Sequence, residues 1–88
     1  MKAPATNALA TVEISWFEKG NAIVSESVCL DVAGDASGYR FCRQRALVLF
    51  TDECAEYTTK YKKAELPEAL ELRTLMKKFC SAAKTFVP

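Results

Sequence analysis

Residues 34–50 read Gly-Asp-Ala-Ser-Gly-Tyr-Arg-Phe-Cys-Arg-Gln-Arg-Ala-Leu-Val-Leu-Phe, and the conformation of this stretch decides the fold. Gly34 to Gly38 has loop composition, with two glycines, an aspartate and a serine among its residues. Tyr39–Phe50 then reads as a β-rich run that ends in Ala46-Leu47-Val48-Leu49-Phe50. Upstream, Ala22–Val32 is a second such run, carrying Ile23, Val24, Val28, Leu30 and Val32. A turn at 34–38 would fold the two runs into an antiparallel hairpin.

Residues directly opposed across a hairpin occupy positions with a constant sum. Turning at 34–38 places Cys29 against Cys42, Asp31 against Arg40, Glu26 against Arg45 and Leu30 against Phe41. Opposite charges and matched apolar pairs both support that register. A Cys pair facing across two strands has the spacing a disulfide needs. Cys54 and Cys80 are then left to pair with each other. The rival connectivities, 29–54 with 42–80 and 29–80 with 42–54, stay open at this point.

Working outward, Thr11–Phe17 alternates Val12, Ile14 and Trp16 with Thr11, Glu13 and Ser15, the pattern of a half-buried strand. Glu18-Lys19-Gly20-Asn21 supplies the turn to the next run. Residues 1–8 are small and polar and read as a disordered tail. Pro67–Lys84 reads as a helix, with Leu72, Leu75, Met76, Phe79, Cys80 and Ala83 on one stripe. Glu68 and Glu71 suit the positive end of its dipole, and Lys77, Lys78 and Lys84 the negative end. Residues 52–64 fit either a helix with Cys54, Tyr57 and Tyr61 on one face or an alternating strand, and the helix is preferred. As helices, 52–64 and 67–84 form a hairpin about Leu66-Pro67 that brings Cys54 to Cys80. The expected fold is α+β, a single domain over residues 9–88. An antiparallel sheet of three or four strands packs on one or two C-terminal helices, stapled by two disulfides.

Composition limits the function. Half of the 88 residues are hydrophobic and 26% are charged, which is globular rather than disordered. A core this small needs staples, and four cysteines in so short a chain point to disulfides and an oxidising compartment. The Met1-Lys2-Ala3-Pro4 start has no apolar signal region, so a secreted protein whose signal has already been removed is expected. No apolar run is long enough for a membrane span, and no N-glycosylation sequon occurs.

There is no histidine, no Cys-x-x-Cys pair and no Gly-rich phosphate loop. These absences disfavour a metal site, a Cys–His or Ser–His nucleophile, a dithiol redox centre and nucleotide binding. Asp52-Glu53 with Glu56 reads as solvated acids at a helix start rather than as a catalytic pair. The chain is therefore expected to be neither an enzyme nor a cofactor carrier.

The net charge of +1 is too balanced to favour nucleic acid. It is unevenly spread, because residues 39–88 carry ten bases and six acids against two bases and five acids in 1–38. Arg40, Arg43 and Arg45, interleaved with Tyr39 and Phe41, form the candidate partner-contact surface. Arg43 is foremost, because the register sets it against Val28 and leaves it without an acid. Lys60, Lys62, Lys63, Lys77 and Lys78 read as solvated lysines, and Trp16, Tyr57 and Tyr61 as core. The function expected is a small secreted binding protein of the effector or toxin kind, acting on a partner protein, with an exposed strand edge able to extend that partner's sheet. The alternatives are a peptidase inhibitor presenting loop 34–38 and a cytosolic protein or nucleic-acid adaptor with free thiols.

Overall fold

A computed structural model describes the backbone of residues 2–6 and 11–88 and the side chains from Glu13 onward. β1 (Lys2–Thr6) and β2 (Thr11–Ser15) pair antiparallel, with Lys2 opposite Ser15 and Thr6 opposite Thr11. β1 falls within the segment expected to be a loose tail, whose positions 1, 7 and 8 lie outside the described residues. β3 (Glu18–Lys19) and β4 (Ala22–Ile23) form a second, very short hairpin. Gly20 and Asn21 turn it with φ of 58° and 65°. Positive φ at both central residues marks a type I′ turn, the kind that matches strand twist.

Beyond β4 the expected second strand does not continue. Ser25–Ser27 and Leu30–Val32 are 3₁₀ turns, and Cys29 between them has a φ of 67°. The Ser27 hydroxyl anchors the first of these turns, accepting from Phe17 N at 2.8 Å and donating to Val24 O at 2.6 Å. The expected third strand is also absent. Ala36–Lys63 is one helix of 28 residues, α1, which takes in both Tyr39–Phe50 and the segment 52–63. The sheet is therefore smaller than expected, with no three- or four-stranded sheet among the described residues.

The correction has a physical cause. Cys42, Ala46 and Phe50 are all buried, and their spacing of four is helical. Arg, Gln, Ala and Leu, which supply seven of the ten residues 40–49, favour helix over strand. A helix of 28 residues spans about 42 Å, close to the 44 Å longest dimension of the molecule. α2 (Glu68–Thr85) returns antiparallel after a short connection, where the sequence places it.

The core lies between β2, the Val28–Cys29 segment and the two helices. Trp16 and Phe50 meet edge to face at 5.5 Å, as do Phe50 and Phe86 at 5.5 Å, and Tyr57 stacks on Phe79 at 5.7 Å. Each such pair adds roughly 0.5–1.5 kcal/mol beyond its buried area. Cys29 is bonded to Cys42 and Cys54 to Cys80. The expected pairing holds, but the first bridge joins an irregular segment to a helix instead of crossing a hairpin. Mixed helix and sheet with two disulfides is thus the architecture, and among the described residues no helix is long and apolar enough to cross a membrane.

Candidate functional site

The α1 helix separates the four residues singled out as partner contacts. Tyr39 and Arg43, four apart, share one face, while Arg40 and Arg45 point elsewhere. Arg43 is committed within the fold. Its Nη1 donates to Ser25 O at 3.0 Å and Val28 O at 3.2 Å, and its Nη2 donates to Val87 O at 2.9 Å. Its guanidinium lies 4.4 Å from the centre of the Phe86 ring and 5.5 Å from that of Tyr39. One side chain therefore gathers carbonyls from the first 3₁₀ turn, the approach to Cys29 and the C-terminal strand-like end.

Sequence reasoning set Arg43 beside Val28 but missed that the backbone there is its partner. Carbonyl acceptors carry no residue signature. The expected Asp31–Arg40 and Glu26–Arg45 pairs belong to a hairpin that does not form. Asp31 instead accepts from the Ser15 hydroxyl at 2.8 Å. Arg40 is exposed. Arg45 is half-buried, and its Nε is enclosed without a hydrogen-bond partner.

A second region was passed over in the sequence. The β3–β4 turn leans against α2 and leaves an open groove of about 350 Å³. Gly20 and Asn21 form one wall, and Thr74, Lys77, Lys78 and Ser81 the other. At its base Glu18 accepts from Trp16 Nε1 at 2.9 Å and from Lys78 Nζ at 3.1 Å. This pair is largely enclosed, with 7% of the Lys78 side chain and 19% of the Glu18 side chain exposed. Burial alone would push the Glu18 carboxyl up. The hydrogen bonds from Trp16 and Lys78, with the Lys78 charge, outweigh it and hold the group below its ordinary value.

Glu18 therefore neutralises Lys78, and Lys77 at the rim is left as the groove's net charge. From Leu72 onward α2 and the tail carry Arg73, Lys77, Lys78 and Lys84 and no acid. Positions 73, 77 and 84 fall on one helical face, so Lys77 joins the groove's edge to a line of positive charge that runs beside it. The signal was present in the sequence as an acid-free run, but the wall it faces comes from residues more than fifty positions away.

The groove offers the Lys77 cation, an amide and hydroxyls, and the Glu18 carboxylate behind it is committed to Trp16 and Lys78. Thr74 and Thr85 donate their hydroxyls back to Leu70 O and Ser81 O on their own helix. Such a surface can hold carboxylates and has no activated nucleophile. The acids on α1 are arranged differently. Asp52 and Glu56 are exposed, Glu56 pairs with Lys60 at 3.3 Å, and Glu53 is half-buried. Burial, with the nearby Glu56 and Asp52 charges, raises the Glu53 carboxyl against the opposing pull of Lys60. Among the described residues no cluster of three or more His, Cys, Asp or Glu is placed to hold a metal ion. Loop 34–38 is shorter than its composition implied, because Ala36–Gly38 form the first turn of α1.

No family model, curated protein or solved structure matches the chain.

Proposed function

We propose that this is a small secreted, disulfide-stapled binding protein of the effector or toxin kind, acting by contact with a partner protein and not by catalysis. The two bridges are compatible with a secreted or oxidising-compartment protein. The observation that carries the reading is the basic groove between the β3–β4 turn and α2. It is an open surface of mixed polar and apolar lining on a braced frame, and its Lys77, with no acid partner among the described residues, fits an acidic protein segment. The contact therefore moves from Arg43, which the fold uses, to Lys77 with Arg73 and Lys84 beside it.

The inhibitor alternative has less support, because the helical Ala36–Gly38 turn does not offer extended backbone to a peptidase. The free-thiol adaptor has less support, because all four cysteines are bridged.

The test uses poly-L-glutamate as the acidic probe, with Trp16 fluorescence as the reporter. Lys77→Glu is expected to weaken binding roughly tenfold, equivalent to about 1.4 kcal/mol. Lys62→Glu makes the same change of net charge on the far end of α1 and is the control. Equal losses from the two variants would mean that net charge alone drives binding and would remove the groove from the proposal.

A further inference from the structure

α1 has a second, outward face that nothing among the described residues covers. Ser37, Phe41, Gln44, Val48, Thr51 and Ala55 recur at alternating spacings of four and three, the seam of a helix that packs on another helix. The seam carries no charge. Phe41 is 42% exposed and Val48 40% exposed, and both are opposite the buried stripe of Cys42, Ala46 and Phe50. Arg45 and Asp52 flank Val48 on the same side of the seam, three residues before it and four after it.

We infer that this face is the interface of an antiparallel dimer formed with a second copy of the chain, on a two-fold axis through Val48. That axis sets Val48 against Val48 and places the bulky Phe41 over the small Ala55 of the other copy. It also brings Arg45 beside the other copy's Asp52, twice by symmetry. A parallel pair would instead set Arg45 beside the other copy's Arg40, which is repulsive, and Asp52 beside its Leu47. The charge pattern therefore selects both the occupant and its direction. The enclosed Arg45 Nε, which lacks a hydrogen-bond partner among the described residues, lies at this edge. The antiparallel arrangement also opposes the two helix dipoles.

The seam from Phe41 to Ala55 is about 21 Å long. An interface this narrow falls below about 1,200 Å², in the class of weak, reversible associations. The dimer surface and the basic groove are on different elements, so the two proposals fail independently.

Sedimentation equilibrium on the oxidised protein, raised in concentration to about 1 mM, reads the association. The mass is expected to climb from 9.7 kDa toward twice that value. Val48→Glu places two like charges on the axis and should hold the protein at monomer mass. Asp52→Arg should weaken association at least tenfold, and adding Arg45→Asp to it should restore it. Mild oxidation of Val48→Cys should give a covalent dimer. Phe41→Cys alone should not, whereas Phe41→Cys mixed with Ala55→Cys should. A monomer at every concentration overturns the inference. So does a dimer indifferent to Val48→Glu, or one crosslinked as readily through Phe41→Cys alone, since that requires a parallel pair.

Discussion

The two disulfides close loops of different length in surroundings of different kind. Cys29–Cys42 spans 13 positions, and both of its cysteines are buried in the core. Cys54–Cys80 spans 26 positions and is half-buried between two helices. Loop-closure entropy alone ranks the second bridge slightly higher, at about 3.5 against about 3 kcal/mol. Packing reverses that order. α1 and α2 are joined by a short connection and share the Tyr57–Phe79 stack, so they stay neighbours without their bridge. The segment around Cys29 is irregular, tied to β2 and its flank through Ser15 and Ser27 and to α1 through the Arg43 carbonyl bonds, so its bridge is the covalent tie between that layer and α1.

The sharpest way to break this comparison is to remove each bridge in turn. Replacing Cys29 and Cys42 with Ala is expected to cost about 4 kcal/mol, the loop term plus a buried void. Urea denaturation should show it. Arg43→Ala acts on the same junction without touching a sulfur. It is expected to cost about 3 kcal/mol, since carbonyls at Ser25, Val28 and Val87 lose their donor together with two aromatic contacts. A melting temperature unchanged by Arg43→Ala would return Arg43 to the surface as a contact residue. Replacing Cys54 and Cys80 with Ala should cost less, about 2 kcal/mol. If this loss exceeds that of the first bridge, loop length outranks packing.

Two smaller effects sharpen the picture away from the bridges. Glu18→Gln leaves Lys78 enclosed beside a neutral amide and should cost about 1–2 kcal/mol at pH 7. Glu18 has a folded-state pKa below its unfolded value. Its contribution is complete above the ordinary carboxylate range and is lost as pH falls through the folded value. Thermal melts of Glu18→Gln from neutral to acid pH should therefore lose less stability than the parent. Glu53 has the opposite sign. Its raised pKa means that ionisation disfavours the folded state, so stability falls as pH rises through that window. Glu53→Gln should raise the neutral-pH melting temperature slightly.

Elements whose signal is local were legible in the sequence. β2 follows from the alternation of Ile14 and Trp16, the Gly20-Asn21 turn from its residue types, and α2 from one apolar stripe with acids before it and lysines after it. Tyr39–Phe50 was not legible, because two periods coexist there. Arg43, Arg45, Leu47 and Leu49 alternate like a strand while Cys42, Ala46 and Phe50 repeat like a helix. The helix wins because it buries the second set against Trp16 and Phe86 and continues without a break into 52–63. Both bridges were placed correctly, the first through a register that does not exist. A disulfide requires proximity only, and the Cys29 segment reaches α1 by another path.

The site was less legible than the fold. Arg43 was expected to face outward because its partners are carbonyls, which any residue supplies. The groove joins residues 18–23 to 74–85, and no pattern in either segment names the other. What the sequence did show was an acid-free basic run in α2, without the wall that turns it into a groove.

The most direct test of the stapled scaffold is mass spectrometry on protein isolated without reductant, before and after reduction, followed by peptide mapping of the unreduced form. The expected result is a gain of one pair of hydrogens per bridge, with Cys29 linked to Cys42 and Cys54 linked to Cys80. Free thiols, or a peptide joining Cys29 to Cys80, would contradict it.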